Sequence, residues 1–432
     1  MDRRTFLAAG AALALPRLPR GPWRERPVPS PSQLLWQQDE LAMFLHFGVN
    51  TFTDREWGDG TEDPAIFDPT SLDCRQWARA ARSAGFRTLI LTAKHHDGFC
   101  LWPTATTRHS VASSPWRGGA GDLVQEFTDA CEAEHLRAGL YLSPWDRNAP
   151  VYGDSPRYND FYCDQLTELL SNYGAIHEVW FDGANGEGPN GRRQQYDWPR
   201  IWGLVRQLQP DAVIFSDAGP DIRWIGNERG VAGETNWSTV DPSVVPFPGA
   251  TGDAVDHMLQ HGDPAGTVWR PGETDVSIRP GWFWHPAQDE QVKEVDDLTE
   301  LYFTSVGRNS KLLLNVPPTR AGLLHRTDIT RIRGMRTALE RRFGQDLRSS
   351  MDHGLTVTVS LADLQEDIRQ GQHVARYRLE GLTTRGWEPL SSGTTIGYRK
   401  IDRFVPKAIS DVRLQVEEAV GTPGPVSIRL HV

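Results

Sequence analysis

Apolar residues recur along the chain in two rhythms, and the change from one to the other divides it. From about residue 40, short apolar runs alternate with stretches of helical period. MFLHFGVN (43–50), TLILTAK (88–94), AGLYLSP (138–144), HEVWFDG (177–183) and AVIFSD (212–217) have the length and composition of strands. IRWIGNE (222–228), DVSIRP (275–280) and KLLLNVPP (311–318) supply a sixth, a seventh and an eighth. The stretches 74–85, 122–136, 158–173, 198–208 and 288–307 carry helical period, and a helix over 327–343 closes the series. Strands alternating with helices build βαβ units, and eight of them in roughly 300 residues predict an α/β fold of the (β/α)8 TIM-barrel type. The stretch 217–285 fits the repeat least well. A doubly wound sheet is the alternative, but no G-x-G-x-x-G follows the first strand. After Gly354 the period falls to two, in GLTVTVSL, HVARYRLEG, TTIGYRK, DVRLQVEEA and PVSIRLHV. This predicts a C-terminal antiparallel β-sandwich. The division is 1–31 leader and linker, 32–345 barrel, 346–432 sandwich.

The leader has its own character. Met1–Leu15 reads MDRRTFLAAGAALAL, an Arg3-Arg4 pair before a short Ala-rich apolar run, and Pro- and Arg-rich residues follow to Pro31. That pattern resembles a twin-arginine export signal and implies a protein exported already folded, to the periplasm or beyond. Cys74, Cys100, Cys131 and Cys163 show no C-x-x-C spacing, and three of them fall on predicted helices, so buried free thiols are expected. With 46 Lys and Arg against 56 Asp and Glu, the net charge of −10 argues against nucleic acid or an anionic membrane as partner. No apolar run reaches the roughly 18 residues of a membrane span.

In a barrel of this type the active site forms at the C-terminal ends of the strands. The residues expected there are His46 with Glu56 and Trp57, the run Lys94-His95-His96-Asp97, Tyr141, Trp145 and Asp146, and Trp180 with Asp182. Beyond them come Asp217, Arg223, Asn227, Glu228 and Glu234, then Glu273, Asp275, Arg279, Trp282, Trp284 and Asn315. Any one of these could merely cap a helix or pack; together they put carboxylates, histidines and tryptophans on one rim. Two carboxyl groups on different loops are the minimum for glycoside cleavage, one attacking or positioning water and the other protonating the leaving oxygen. Asp182, on a rigid strand end, suits the first task. Glu228 or Glu234, near Trp224 and Trp237, suits the second, since apolar surroundings raise a carboxyl pKa.

FLHFGVNTF with a following Glu-Trp, AKHHDGFCLWPT, VWFDG and KLLLNVPP together resemble the α-L-fucosidases of glycoside hydrolase family 29, over about residues 33–345. The resemblance implies a barrel followed by a β-sandwich, and a retaining reaction through a covalent fucosyl-enzyme with Asp182 as nucleophile. It implies a fucose pocket of His46, Glu56, Trp57, His95, His96 and Tyr141, to which the rim adds Trp180 and Arg223. IRWIGNERGVAGETNWS and ETDVSIRPGWFWH are similar to the subgroup acting on α-1,3/1,4-linked fucose of branched glycans. That similarity implies Glu228 as acid/base, with Glu234 the alternative, and Glu273 and Trp284 near the leaving sugar. The partner implied is a fucosylated oligosaccharide or glycoconjugate; no cofactor and no metal is expected. Two other readings stay open at this point: a metal-dependent hydrolase using His46, His95, His96 and Asp182, and a carbohydrate-binding protein without catalysis. The 16 Trp divide accordingly. Trp57, Trp180, Trp282 and Trp284 are expected on the rim, whereas Trp77 and Trp202 on helices and Trp387 in the tail are expected to pack.

Overall fold

The computed structural model describes residues 26–432; the leader's twin-arginine motif lies outside the described residues. Eight parallel strands form one sheet: β1 Leu41–Leu45, β2 Thr88–Lys94, β3 Arg137–Leu142, β4 Glu178–Trp180, β5 Val213–Phe215, β6 Arg223–Trp224, β7 Gly272–Ser277 and β8 Ser310–Asn315. Their order is β5-β4-β3-β2-β1-β8-β7-β6. A single parallel bridge, Phe215 to Ile222, joins the two ends and closes the barrel. The eight-stranded barrel read from the sequence is therefore the fold, and its weakest seam falls at the start of the stretch where the repeat was faintest. The sixth strand is only two residues long, and the chain then leaves the barrel for a small ribbon (Thr239–Val240 with Val268–Trp269) and the helix Asp253–His261 before returning as β7.

Local signals set the helix starts. Asp73, Asp122 and Asp197 each accept a backbone N–H from the residue three positions on, capping Cys74–Ser83, Leu123–Ala133 and Trp198–Leu208. The helix expected over 288–307 is shorter, Val295–Thr304, because a single tight turn, Pro286–Gln288, and then a loop take the place of its first turns. The helix Pro31–Asp39, opened by a capping box of Ser30 and Gln33, lays Trp36 against the strand starts. All four cysteines are buried and free, and burial pushes each thiol up. Trp77 is fully buried, while Trp202 is half-buried against Trp198. No helix among the described residues is long and apolar enough to cross a membrane.

Beyond the helix Arg326–Phe343, two three-stranded antiparallel sheets enclose a second core of Val359, Leu364, Val374, Tyr377, Leu379, Ile409 and Leu430. Two details depart from the sequence reading. Gly386–Gly393 is a strand although its pattern is weak, and it can hold Pro389 because it is an edge strand. TTIGYRK contributes only its last residue to the strand Lys400–Ile409. The sandwich meets the barrel at residues just before β1 and β8. Arg399 pairs with Glu40 at 2.7 Å and Asp363 at 2.9 Å, and Asn309 donates its backbone N–H to the Arg399 carbonyl. That is the end opposite the strand C-termini, so these contacts stand clear of the rim where the strands end.

Candidate active site

At the C-terminal ends of the strands lies a cavity of about 470 Å³. β1 contributes Phe44 with His46 just beyond it, His95 and His96 follow β2, β3 gives Tyr141, and β4 gives Trp180 with Asp182 two residues further on. Asp217 follows β5, Trp224 and Glu228 come from β6 and its loop, Asp275 from β7, and Trp282 from the loop behind it. Glu56 and Trp57 complete the mouth. Trp57 is 56% exposed, with its ring meeting His96 and Trp145 edge-on.

Asp182 is held on both oxygens. Its Oδ1 accepts the Ala184 N–H at 2.6 Å, and its Oδ2 accepts the Tyr141 hydroxyl at 3.1 Å and lies 3.8 Å from His96 Nε2. The residue after it must be glycine, because a Cβ on Gly183 would stand 2.2 Å from Asp217 Oδ2. Trp180, two residues earlier, stacks on Phe215 at 4.1 Å and leans on Tyr141.

The hydrogen bonds settle which histidine nitrogens carry protons. The Asn315 amide donates to Ser277 Oγ and the Trp282 carbonyl, so its oxygen faces His46 Nδ1 at 2.9 Å and receives that N–H. Burial pulls the His46 pKa down to about 3, which leaves the ring neutral with its Nε2 lone pair free. Ser143 donates to the Trp145 carbonyl and so accepts from His96 Nδ1 at 2.7 Å. Burial likewise lowers His96, and its Nε2 is a second bare acceptor. His95 is buried, its pKa well below the usual value, and its Nδ1 has no protein partner. Buried polar atoms of this kind call for a polar ligand or water.

The other acids are graded by burial. Burial raises Glu228 above the usual carboxyl range, the Asp182 and Glu56 carboxylates add to it, and a hydrogen bond with Trp282 opposes it. Asp275 is pushed up to about 8 by burial although Trp224 Nε1 donates to it at 2.7 Å. Asp217 is pushed up to about 6 by burial, against the hydrogen bond from the Gly249 N–H. The loop bearing Glu228 is tied down by Asn227, whose amide donates to the Val231 carbonyl at 2.9 Å. Glu56 is fixed by the Trp282 N–H at 2.7 Å and by His285 Nε2 at 2.5 Å.

The structure brings His46, Glu56, Trp57, His95, His96, Tyr141, Trp180, Asp182 and Glu228 together, and the four other residues expected to bind the sugar or to serve as the alternative acid stand elsewhere. Arg223 opens β6 and turns away to the carbonyls of Leu259 and Arg270 and the Asn236 side chain. Glu273 lies one layer below the cavity, because it precedes Asp275 by two residues on β7. Trp284 turns to Asp289 and Arg320 rather than to the cavity, which Trp282 lines. Glu234 is exposed beside Arg308 and the sandwich. Three contributors were missed. Phe44 lies two residues before His46 and Ser143 two after Tyr141, a period-two signal that could have found them. His285 carries no such signal. Among the described residues no group of three or more His, Cys, Asp or Glu side chains is arranged to hold a metal ion.

A family model described as alpha-L-fucosidase matches residues 24–342. The chain is 43% identical over 440 residues to putative alpha-L-fucosidase 1 of Oryza sativa subsp. japonica, covering 92% of this chain and 83% of that one. It is 42% identical over 442 residues to alpha-L-fucosidase 1 of Arabidopsis thaliana, with 92% and 86% covered. Among solved structures, a putative alpha-L-fucosidase from Bacteroides ovatus superposes with a TM-score of 0.85 at 47% identity, covering 94% of this chain and 74% of the other. A Ruminococcus gnavus GH29 fucosidase in complex with fucose superposes with a TM-score of 0.83 at 28% identity, covering 96% of both. The chain belongs to the α-L-fucosidase family, glycoside hydrolase family 29, and is a glycoside hydrolase of that class.

Proposed function

We propose that the cavity hydrolyses terminal α-L-fucosides with retention, Asp182 acting as nucleophile and Glu228 as acid/base. The observation that carries this is the shared cavity of the two carboxyl groups, one anchored on a strand end and the other raised by burial. In the first step an Asp182 oxygen forms a bond to the anomeric carbon as the glycosidic C–O bond breaks, and Glu228 gives its proton to the departing oxygen. In the second, the Glu228 carboxylate takes a proton from water, the water oxygen bonds to the anomeric carbon, and the ester to Asp182 breaks. The bare Nε2 atoms of His46 and His96 accept sugar hydroxyl protons, while Trp180, Phe44 and Trp282 offer apolar surface to C–H bonds and the methyl group.

Asp182→Asn is expected to cut kcat on an aryl α-L-fucoside by about 10³-fold or more while fucose still binds. A 2-fluoro-fucosyl label found by mass spectrometry on another residue would overturn the assignment. The branched-glycan reading rests on the motif after β6. It expects turnover of a Lewis-type trisaccharide well above that of a 2′-fucosylated one; the reverse preference would refute it. For location, we propose twin-arginine export directed by Arg3-Arg4. Replacing both with Lys should keep the folded enzyme in the cytoplasm of a bacterial host, and undiminished export would refute it.

A further inference from the structure

Beneath the cavity, Glu178 on β4 and Glu273 on β7 reach the barrel interior fully buried. Lys311, the partner of Glu273 in the β7–β8 register, holds its ammonium 3.5 Å from Glu178 Oε2 and over the Trp36 ring. Trp36 Nε1 donates to the same Oε2 at 3.0 Å. Trp180 Nε1 donates to Glu273 Oε1 at 3.0 Å. The two remaining oxygens, Glu178 Oε1 and Glu273 Oε2, are buried and lack a donor from any other group. One ammonium faces two carboxyl groups, and an unbalanced buried charge is costly.

We infer that Glu273 carries a proton on Oε2 and donates it to Glu178 Oε1, so that the neutral acid offers its carbonyl oxygen to the Trp180 indole and fixes that wall of the cavity. Every polar atom then has a partner. Glu178 is the ionised member, because its Oε2 already takes the two donors from Lys311 and Trp36. The same burial pushes both carboxyls up, Glu273 well above the usual range. Glu273 and Glu178 touch no substrate. They are positioning residues acting through Trp180, which packs on Tyr141, the donor to Asp182. The kinetic consequence rests on the reading of the cavity as the fucose site; the shared proton does not.

The test uses Glu273→Gln, Glu273→Leu, Glu178→Gln and the double Gln variant. Gln at 273 keeps an acceptor for Trp180 and supplies an N–H to Glu178. It should remove a protonated-carboxyl stretch from the infrared spectrum at neutral pH yet hold kcat/KM on an aryl α-L-fucoside within about threefold. Leu leaves the indole without an acceptor and should lower kcat/KM about tenfold or more, with inhibition by fucose weakened in parallel. The double Gln variant strands the Lys311 charge and should melt below either single variant. Because Asp275 also stays protonated near neutral pH, the reading is the wild-type minus Glu273→Gln difference spectrum, and a difference spectrum with no lost carboxyl band overturns the inference. So does wild-type kcat/KM in Glu273→Leu, or a double variant as stable as the singles. A wild-type protein inactive on every fucoside would sink the functional reading instead, while the infrared and melting results still judge the proton.

Discussion

Asp275 shows what burial does to a single residue here. Its carboxyl faces the cavity, accepts one indole N–H, and is pushed up to about 8 by desolvation. A folded-state value raised above the unfolded one stabilises the protein below the unfolded pKa, near 3.8, and that stabilisation is lost as the pH climbs toward about 8. Asp275→Asn cannot ionise, so its melting temperature should rise relative to wild type between about pH 4 and pH 8, as thermal unfolding across that range would show. An unchanged difference across the range would mean the carboxyl is ionised in the fold. Glu228 makes a kinetic counterpart. As the proposed acid/base it has to be protonated for the first step, and burial raises it above the ordinary carboxyl value of 4.5. The alkaline limb of kcat/KM should disappear in Glu228→Gln, measured on an activated aryl fucoside that needs little acid assistance.

At the scale of an element, β7 is the clearest case. Residues 273, 275 and 277 share its inner face and meet three different surroundings. Glu273 joins the buried acids below the cavity, Asp275 lines the cavity, and Ser277 accepts from the Asn315 amide that orients His46. The strand thus spans structure and site at successive layers. The turn after β4 is constrained as tightly. Gly183→Ala would push a methyl group onto Asp217 and displace Asp182, and about a hundredfold fall in kcat/KM is expected for a shift near 1 Å. Activity close to wild type in that variant would show that the turn has room.

The whole molecule separates support from chemistry. The sandwich contributes no wall to the cavity and instead grips the strand starts through Arg399, which is nearly buried between Glu40 and Asp363. Removing one partner of a buried ion pair leaves the others uncompensated. Arg399→Met should therefore cost about 3–5 kcal/mol in urea unfolding while leaving KM for an aryl fucoside near its wild-type value. A change confined to KM would instead couple the sandwich to the cavity.

Strand and helix positions were legible because apolar period reports burial locally, residue by residue. The strand-tip acids and histidines, and the motifs around them, were legible for the same reason: each lies within a few residues of its own strand. Depth along the barrel axis was not. Whether Glu273 or Asp275 meets the cavity, and whether Trp282 or Trp284 does, depends on how strands far apart in sequence are staggered when the barrel closes. The direction of Arg223 and the distance of Glu234 from the cavity follow from the excursion after β6, whose helix Asp253–His261 receives Arg223 and whose residue 234 lies against the sandwich. Local pattern placed the chemistry at the rim; only closure of the barrel chose which side chains share the cavity, because that choice is made by contacts between residues distant along the chain.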